Sequence, residues 1–247
     1  MRLVLTEPNL FKDSIGIISE LVNEARFKIT KNGMELIAMD PANVAMVIFK
    51  LLSSSFAQYD VPEDTQMAIN LANLKQILKR AKPNDTLTLE TTEDNKLKIE
   101  MKAGDNKRTF SIPIIEFDEK EQRVPDLEFP VSIKITASML QDSIDDVGIV
   151  AESVSFIAEP DKMTIQAEGD LSKAHIEIPQ SSDTIIKAIG KTRAKYSIEY
   201  LKKMIAGGKL ANHAELFFNQ DYPLKVEYKV VDKMMLSFIL APRVEND

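Results

Sequence analysis

Apolar residues recur with helical spacing at Leu10, Phe11, Ile17, Ile18, Leu21 and Val22, which predicts a helix over 8–22 with Pro8 in its first turn. A strand follows at Phe27–Thr30, then the turn Lys31-Asn32-Gly33, and further strands at Met34–Asp40 and Val44–Leu52. Asn70 is placed as the N-cap of a second helix carrying Leu71, Leu74, Ile77, Leu78 and Ala81. Leu87–Glu90 and Leu97–Met101 alternate with period two around Thr92–Asn95, a hairpin signature, and Arg108–Ile115 reads as a closing strand.

The same order then recurs. A helical stripe is formed by Met139, Leu140, Ser143, Ile144, Val147, Val150 and Ala151, with Thr136 as its expected cap. Strands are expected at Val154–Ala158, Met163–Glu168 and Ala174–Ile178, and a helix from Ser197 through Leu201, Met204 and Ile205. A hairpin of Ala214–Asn219 with Leu224–Val230 and a strand Met235–Ala241 close the pattern. The recurrence extends to residues. Phe11, Asp13, Ser14, Ile15, Phe27, Met34, Leu36 and Ala38 match Leu140, Asp142, Ser143, Ile144, Phe156, Met163, Ile165 and Ala167 at a constant offset of 129. Two copies of one unit are therefore expected, at 1–117 and 131–247, joined by a connector at 118–130. The helices are too few to cover both faces of the sheets, so one face is exposed or meets a partner.

The longest apolar run, Val44 to Phe49, is far short of the ~20 residues that cross a bilayer, so no membrane partner is expected. The start of the chain does not read as a signal peptide. With no cysteine, disulfides, thiolate metal sites and thiol nucleophiles are excluded, which fits an intracellular protein. The net charge is −7, and the connector alone carries five acidic against two basic side chains.

Catalytic chemistry is hard to find. His175, beside Glu177, and His213 are the two histidines, and an ordinary surface role suits both. No phosphate-cradling glycine motif occurs; Gly207-Gly208-Lys209 follows a helix and reads as its stop. Asp142, Asp145 and Asp146 share a helix, and a carboxylate-dependent hydrolase is the alternative they suggest, although a solvated face suits them better. No catalytic residue, metal or cofactor is assigned. On the second helix Lys75, Lys79 and Lys82 fall at i, i+4 and i+7, opposite the leucine stripe, with Arg80 adjoining. The last helix adds Lys202, Lys203 and Lys209, and the first adds Lys12. No aromatic residues interleave with these cations, so sequence-blind phosphate attraction is the chemistry they offer. A plain solvated face is the other reading.

Four stretches carry a resemblance: Leu36-Ile-Ala-Met-Asp-Pro41, Asn70 to Ala81, Tyr222 to Lys229, and Leu240-Ala-Pro-Arg-Val-Glu245. In order and over the full length, the chain resembles the proliferating cell nuclear antigen (PCNA) family of DNA sliding clamps, in forms closer to archaeal than eukaryotic members. The resemblance implies an α+β DNA clamp fold. Two tandem similar domains would each set antiparallel sheets outside and two helices inside, and three subunits would form a ring. It implies a non-enzymatic processivity factor encircling double-stranded DNA without sequence preference. The alternative within the class is one subunit of a heterotrimeric or checkpoint-type clamp. Location would be the archaeal cytoplasm and nucleoid, or the nucleus if eukaryotic.

Carried onto this chain, the channel surface would be Lys12, Lys75, Lys79, Arg80, Lys82, Lys202 and Lys209. The third helix departs from family habit, with Gln141, Asp145 and Gly148 on its inner face, as does Glu199 on the fourth. DNA contact is thus expected to be lopsided. DNA polymerase, flap endonuclease, DNA ligase and clamp loader would bind through PIP-type peptides, short segments with apolar and aromatic anchors. Their pocket would be Met39, Val44, Val124, Pro223, Leu240, Ala241 and Pro242, beside a connector in which Gln122-Arg123 departs from the usual apolar pair. Subunits would join through edge strands Thr109–Pro113 and Ala174–Ile178, a role that the alternating Phe110 and Ile112, and Ile176 and Ile178, suit.

Overall fold

The computed structural model of the chain describes residues 1–116 and 122–243. Phe117 and residues 118–121 of the expected connector, and residues 244–247 with the end of the last motif, lie outside the described residues. The elements in chain order are β1 (Arg2–Leu5), α1 (Asn9–Ile18), β2 (Glu24–Thr30), β3 (Gly33–Met39), β4 (Ala45–Leu52), β5 (Gln58–Asp60), β6 (Thr65–Asn70), α2 (Leu71–Leu78), β7 (Thr86–Thr91), β8 (Lys96–Ala103) and β9 (Asn106–Pro113). They continue with β10 (Val131–Thr136), α3 (Ala137–Val147), β11 (Ser153–Ala158), β12 (Lys162–Glu168), β13 (Lys173–Pro179), β14 (Ile185–Lys187), β15 (Thr192–Ser197), α4 (Ile198–Met204), β16 (His213–Phe218), β17 (Leu224–Val230) and β18 (Met234–Leu240). Among the described residues no helix is long and apolar enough to cross a membrane.

Two compact units make up the chain. One comprises Met1–Pro41, Val47–Val124 and Val230–Leu236; the other comprises Ala42–Met46, Pro125–Lys229 and Ser237–Asp247. The succession β-α-β-β-β-β-β-α-β-β-β occurs twice, so the residue-level repeat is a repeat of architecture. Strand order repeats as well: β5-β1-β7-β8-β9 and β4-β3-β2-β6 in the first half, β14-β10-β16-β17-β18 and β13-β12-β11-β15 in the second. The pairings β1–β7, β8–β9, β2–β3, β11–β12 and β12–β13 are antiparallel.

The repeated Asp-Ser-Ile motif shows how sequence dictates local structure. Ser14 and Ser143 lie on the buried faces of α1 and α3, where an unpaired hydroxyl is costly. Each donates to the carbonyl four residues back, Leu10 and Met139, at 2.7 Å. Around them Phe11, Ile15 and Ile18, and Leu140, Ile144 and Val147, are buried, each contributing about 1.5–3 kcal/mol relative to exposure. In α2 the Asn70 side chain accepts from Asn73 N at 2.9 Å, the expected cap.

Several boundaries differ from expectation. Helix α1 ends at Ile18, and the backbone N–H groups of Glu20 and Leu21 bond three residues back, tightening the last turn. Pro8 stands at the N-cap, just outside the helix, instead of within its first turn. Thr136 occupies the N-cap of α3 but makes no side-chain bond, and Met139 is 40% exposed instead of joining the stripe. Strands β1, β5, β6, β10, β14 and β15 add to the sequence-based reading. Two have only three residues, and β6, β10 and β15 run into a helix with no intervening turn residue to mark them. His213 begins β16.

Candidate nucleic-acid and partner interfaces

In the first unit α1 packs beside α2, and the cations on these helices divide into two sets. Lys12 and Lys75 are half-buried and engaged: Lys12 Nζ donates to Ala81 O at 3.1 Å, and Lys75 pairs with Glu20. Lys79, Arg80 and Lys82 are exposed, and among the described residues no carboxylate pairs with their side chains. They occupy the segment that leaves α2, where three contacts fix the backbone. Lys12 holds the carbonyl of Ala81, Arg108 Nη1 holds that of Arg80 at 2.8 Å, and Lys82 N donates to Asp85 Oδ2 at 2.7 Å.

Asp85 and Arg108 are the functional neighbours that sequence reasoning missed. Asp85 is fully buried and pairs with Arg108 of β9. The Lys82 N–H holds its carboxyl below the usual carboxylate range. Burial works against this, and the Arg108 guanidinium adds to it. Among the described residues the Asp85 Oδ1 atom has no partner. Pro83-Asn84-Asp85 is a recognisable turn signal, but nothing local points to an arginine 23 residues later.

In the second unit α3 packs beside α4. Its outward side presents Gln141, Asp142, Asp145 and Asp146, all exposed, and among the described residues no group of acidic or histidine side chains could hold a metal ion. Lys202 is exposed, but its stem lies on Gly148, the C-cap of α3. A Cβ built there would come within 2.8 Å of Cε and Nζ, so the ammonium sits where the helix dipole favours a cation. Lys209 is exposed, whereas Lys203 pairs with Glu199 at 3.3 Å and lies over the Tyr200 ring. The exposed pair His175 and Glu177 lies at 3.4 Å on β13, with Lys162 also on Glu177.

Strands β9 and β13 each end a sheet in the strand order, so among the described residues their outer backbone edges are unpaired. Phe110 and Ile112 lie opposite Ile99 and Leu97, and Ile176 and Ile178 opposite Ile165 and Met163. These side chains therefore point toward their own cores. Ile112 and Ile178 are buried, and Phe110 and Ile176 are half-buried. What both strands offer laterally is backbone.

Of the residues assigned to the peptide pocket, Leu240 is fully buried. Met39, Val44, Pro223, Ala241 and Pro242 are partly exposed, and Val124 is 44% exposed. Ala241 N donates to Val44 O at 2.9 Å, which brings these two together. Pro223 follows Tyr222, whose carbonyl accepts from Tyr196 Oη at 2.8 Å.

Residues 1–123 match the proliferating cell nuclear antigen N-terminal domain, and residues 123–243 match its C-terminal domain. The DNA polymerase sliding clamp of Nanoarchaeum equitans is 36% identical, with 98% of this chain and 99% of that protein covered. That of Thermococcus gammatolerans is 37% identical over 96% and 95%. Among solved structures, PCNA from Thermococcus kodakaraensis superposes with a TM-score of 0.91 at 27% identity, over 98% of this chain and 99% of that one. With both halves matched and curated relatives aligned almost end to end, the chain belongs to the proliferating cell nuclear antigen family of DNA polymerase sliding clamps, which are non-enzymatic.

Proposed function

We propose that three copies of this chain close around duplex DNA and act in replication as a mobile tether for a DNA polymerase. Each copy contributes two similar units, within 1–117 and 131–247, linked by 118–130. The observation that carries this reading is the doubled architecture itself: a chain with twice-repeated element order and strand order, in a family of sliding clamps, supplies the equivalent parts that a closed ring needs. The unpaired backbone edges of β9 and β13 support self-association by strand pairing, with Phe110, Ile112, Ile176 and Ile178 shaping the cores beneath.

DNA contact rests on Lys79, Arg80 and Lys82, supplemented by Lys209 and by the partly engaged Lys12, Lys75 and Lys202. The contact is sequence-blind and weak by construction, because a threaded ring is retained by topology and a tight grip would brake it. Polymerase, flap endonuclease, ligase and clamp loader dock through short peptides with aromatic anchors on Met39, Val44, Val124, Pro223, Ala241 and Pro242, with buried Leu240 as backing. The site of action is intracellular.

Two measurements test this. Light scattering of the purified chain should give three times the 27.8 kDa subunit mass, and a lone monomer or dimer would refute the homotrimer. Cutting a circular plasmid after loading should release the protein. Equal retention on circular and linear DNA would refute threading.

A further inference from the structure

Strand β15 ends its sheet, with β11 as its neighbour, and its backbone holds two segments of the second unit. Arg193 N donates to Gln220 Oε1 at 3.0 Å, and Arg193 O accepts from Asp221 N at 3.1 Å. Lys195 O accepts from Arg243 N at 2.7 Å, so the segment after β18 is stitched to the same strand. Pro223 follows shortly after the first stitch and Pro242 directly precedes the second. Both prolines belong, with Val44 and Ala241, to the same unit.

The loop between β16 and β17 does not hold its shape on local preference alone. Asp221 has φ 49°, the left-handed region that a residue with a Cβ enters at a cost. Tyr196 supplies a further tie. Its ring is fully buried and meets Phe156 edge-on, with centroids 5.5 Å apart. Its hydroxyl donates to Tyr222 O at 2.8 Å, the carbonyl that leads into Pro223. The Tyr222 ring in turn meets Phe129 edge-on at 6.1 Å, so this residue is held at both carbonyl and ring. Phenylalanine would satisfy the packing at 196 equally well. The buried hydroxyl is tolerated because it is bonded, and what that bond fixes is the approach to Pro223.

We propose that Tyr196 is a positioning residue for the partner-peptide surface: through Tyr222 O it sets the place of Pro223, without touching the peptide itself. This deepens the peptide-docking reading above and rests on it. Aromatic anchors contribute most where the wall they pack against is already in place. A wall fixed before binding spares the ordering that a loose loop would cost on association, so the hydroxyl acts on affinity through pre-organisation.

The test uses the full-length protein and a fluorescein-labelled Ser-Leu-Ser-Ser-Phe-Phe-Ser peptide, whose anchors at i, i+3 and i+4 share one helical face, read by fluorescence anisotropy. Ser-Leu-Ser-Ser-Ala-Ala-Ser is the control peptide. Well below the melting temperature, Tyr196→Phe should weaken binding about three- to tenfold, the worth of one neutral hydrogen bond. Tyr59→Phe removes the same kind of bond in the other unit, Tyr59 Oη to Thr30 O at 2.7 Å. It should lower the melting temperature yet leave peptide affinity unchanged. Pro223→Ala should also weaken binding, and adding Tyr196→Phe to it should change Kd by less than about twofold, because the wall being placed is gone. Equal binding by wild type and Tyr196→Phe, or full additivity with Pro223→Ala, overturns the positioning role and leaves the peptide reading intact. An equal loss in Tyr59→Phe overturns it in favour of a general stability effect. If wild type binds the phenylalanine and alanine peptides alike, the peptide reading fails and this inference with it.

Discussion

Asp85→Ala removes the acceptor that holds the turn after α2 against β9. The carboxylate receives the Lys82 N–H at 2.7 Å and the Arg108 guanidinium, in a fully buried position. Hydrogen bonds to a charged group contribute about 1.5–3 kcal/mol each, so two set an upper bound of roughly 3–6 kcal/mol. Two effects reduce it. Burying the carboxylate costs part of what its bonds return, and Arg108 is 27% exposed, so its share is screened. A net loss of about 2–3 kcal/mol remains, or roughly 4–12 °C in melting temperature for a chain of this size. Asp85→Asn can still accept from Lys82 and should cost about half as much. The Arg108→Ala cycle with Asp85→Ala should return a coupling of about 1–2 kcal/mol.

The pH dependence has a fixed sign. Because the folded-state carboxyl is held below its ordinary value, it contributes stability at neutral pH that is lost as pH falls. The gap between wild type and Asp85→Ala should therefore be full at pH 7 and narrow from about pH 4 downward. Thermal melts at constant protein concentration measure it, since assembly makes melting concentration-dependent. A loss under about 0.5 kcal/mol, or a gap that stays constant to pH 3, refutes the strut.

Gly207→Ala places a methyl 2.3 Å from the Tyr228 ring, an overpacking worth about 1–3 kcal/mol, and differential scanning calorimetry should show the drop. Tyr228→Leu in the same chain should recover part of it; a stable Gly207→Ala protein would mean the ring has room to move. Ile176→Asp, on a half-buried edge position, should yield folded monomers by light scattering, whereas Ile178→Asp, at 4% exposure, should lose its near-ultraviolet dichroism as well. A folded trimer with Ile176→Asp counts against β13 as a subunit edge.

What was legible in the sequence is what local physics writes there. The Asn70 cap, the Lys31-Asn32-Gly33 turn and the hairpin around Thr92–Asn95 all appeared, because each depends on residues within one turn of one another. The repeat was legible because two copies of one core preserve the same spacing of buried positions. Strands such as Arg2–Leu5 and Gln58–Asp60 were not, since three or four residues give period-two alternation too little length to stand out. Charge partners were the least legible. Lys12 and Ala81, Glu20 and Lys75, and Asp85 and Arg108 are 69, 55 and 23 residues apart, and only folding brings them together. A cation's availability is thus a tertiary property, although its presence on a helix face is a sequence one.

That distinction decides how the clamp should meet DNA. Seven cations were assigned to the channel by resemblance, yet Lys12, Lys75 and Lys202 are engaged with Ala81, Glu20 and the C-cap of α3. The uncommitted charge is concentrated in Lys79, Arg80 and Lys82, while α3 presents Asp142, Asp145 and Asp146. A duplex free to move inside a ring would lean toward the first units. Counterion release makes the imbalance measurable: each phosphate contact adds about 0.9 to the slope of log affinity against log salt, so the triple alanine variant should lower it by about 2–3 for each subunit in contact. Lys202→Ala with Lys209→Ala should lower it by about 1, because Lys202 is already committed. Salt titrations of binding to a short duplex read both slopes. If the second-unit pair costs as much as the first-unit triple, engagement within the protein does not limit these lysines, and the lopsided path is wrong.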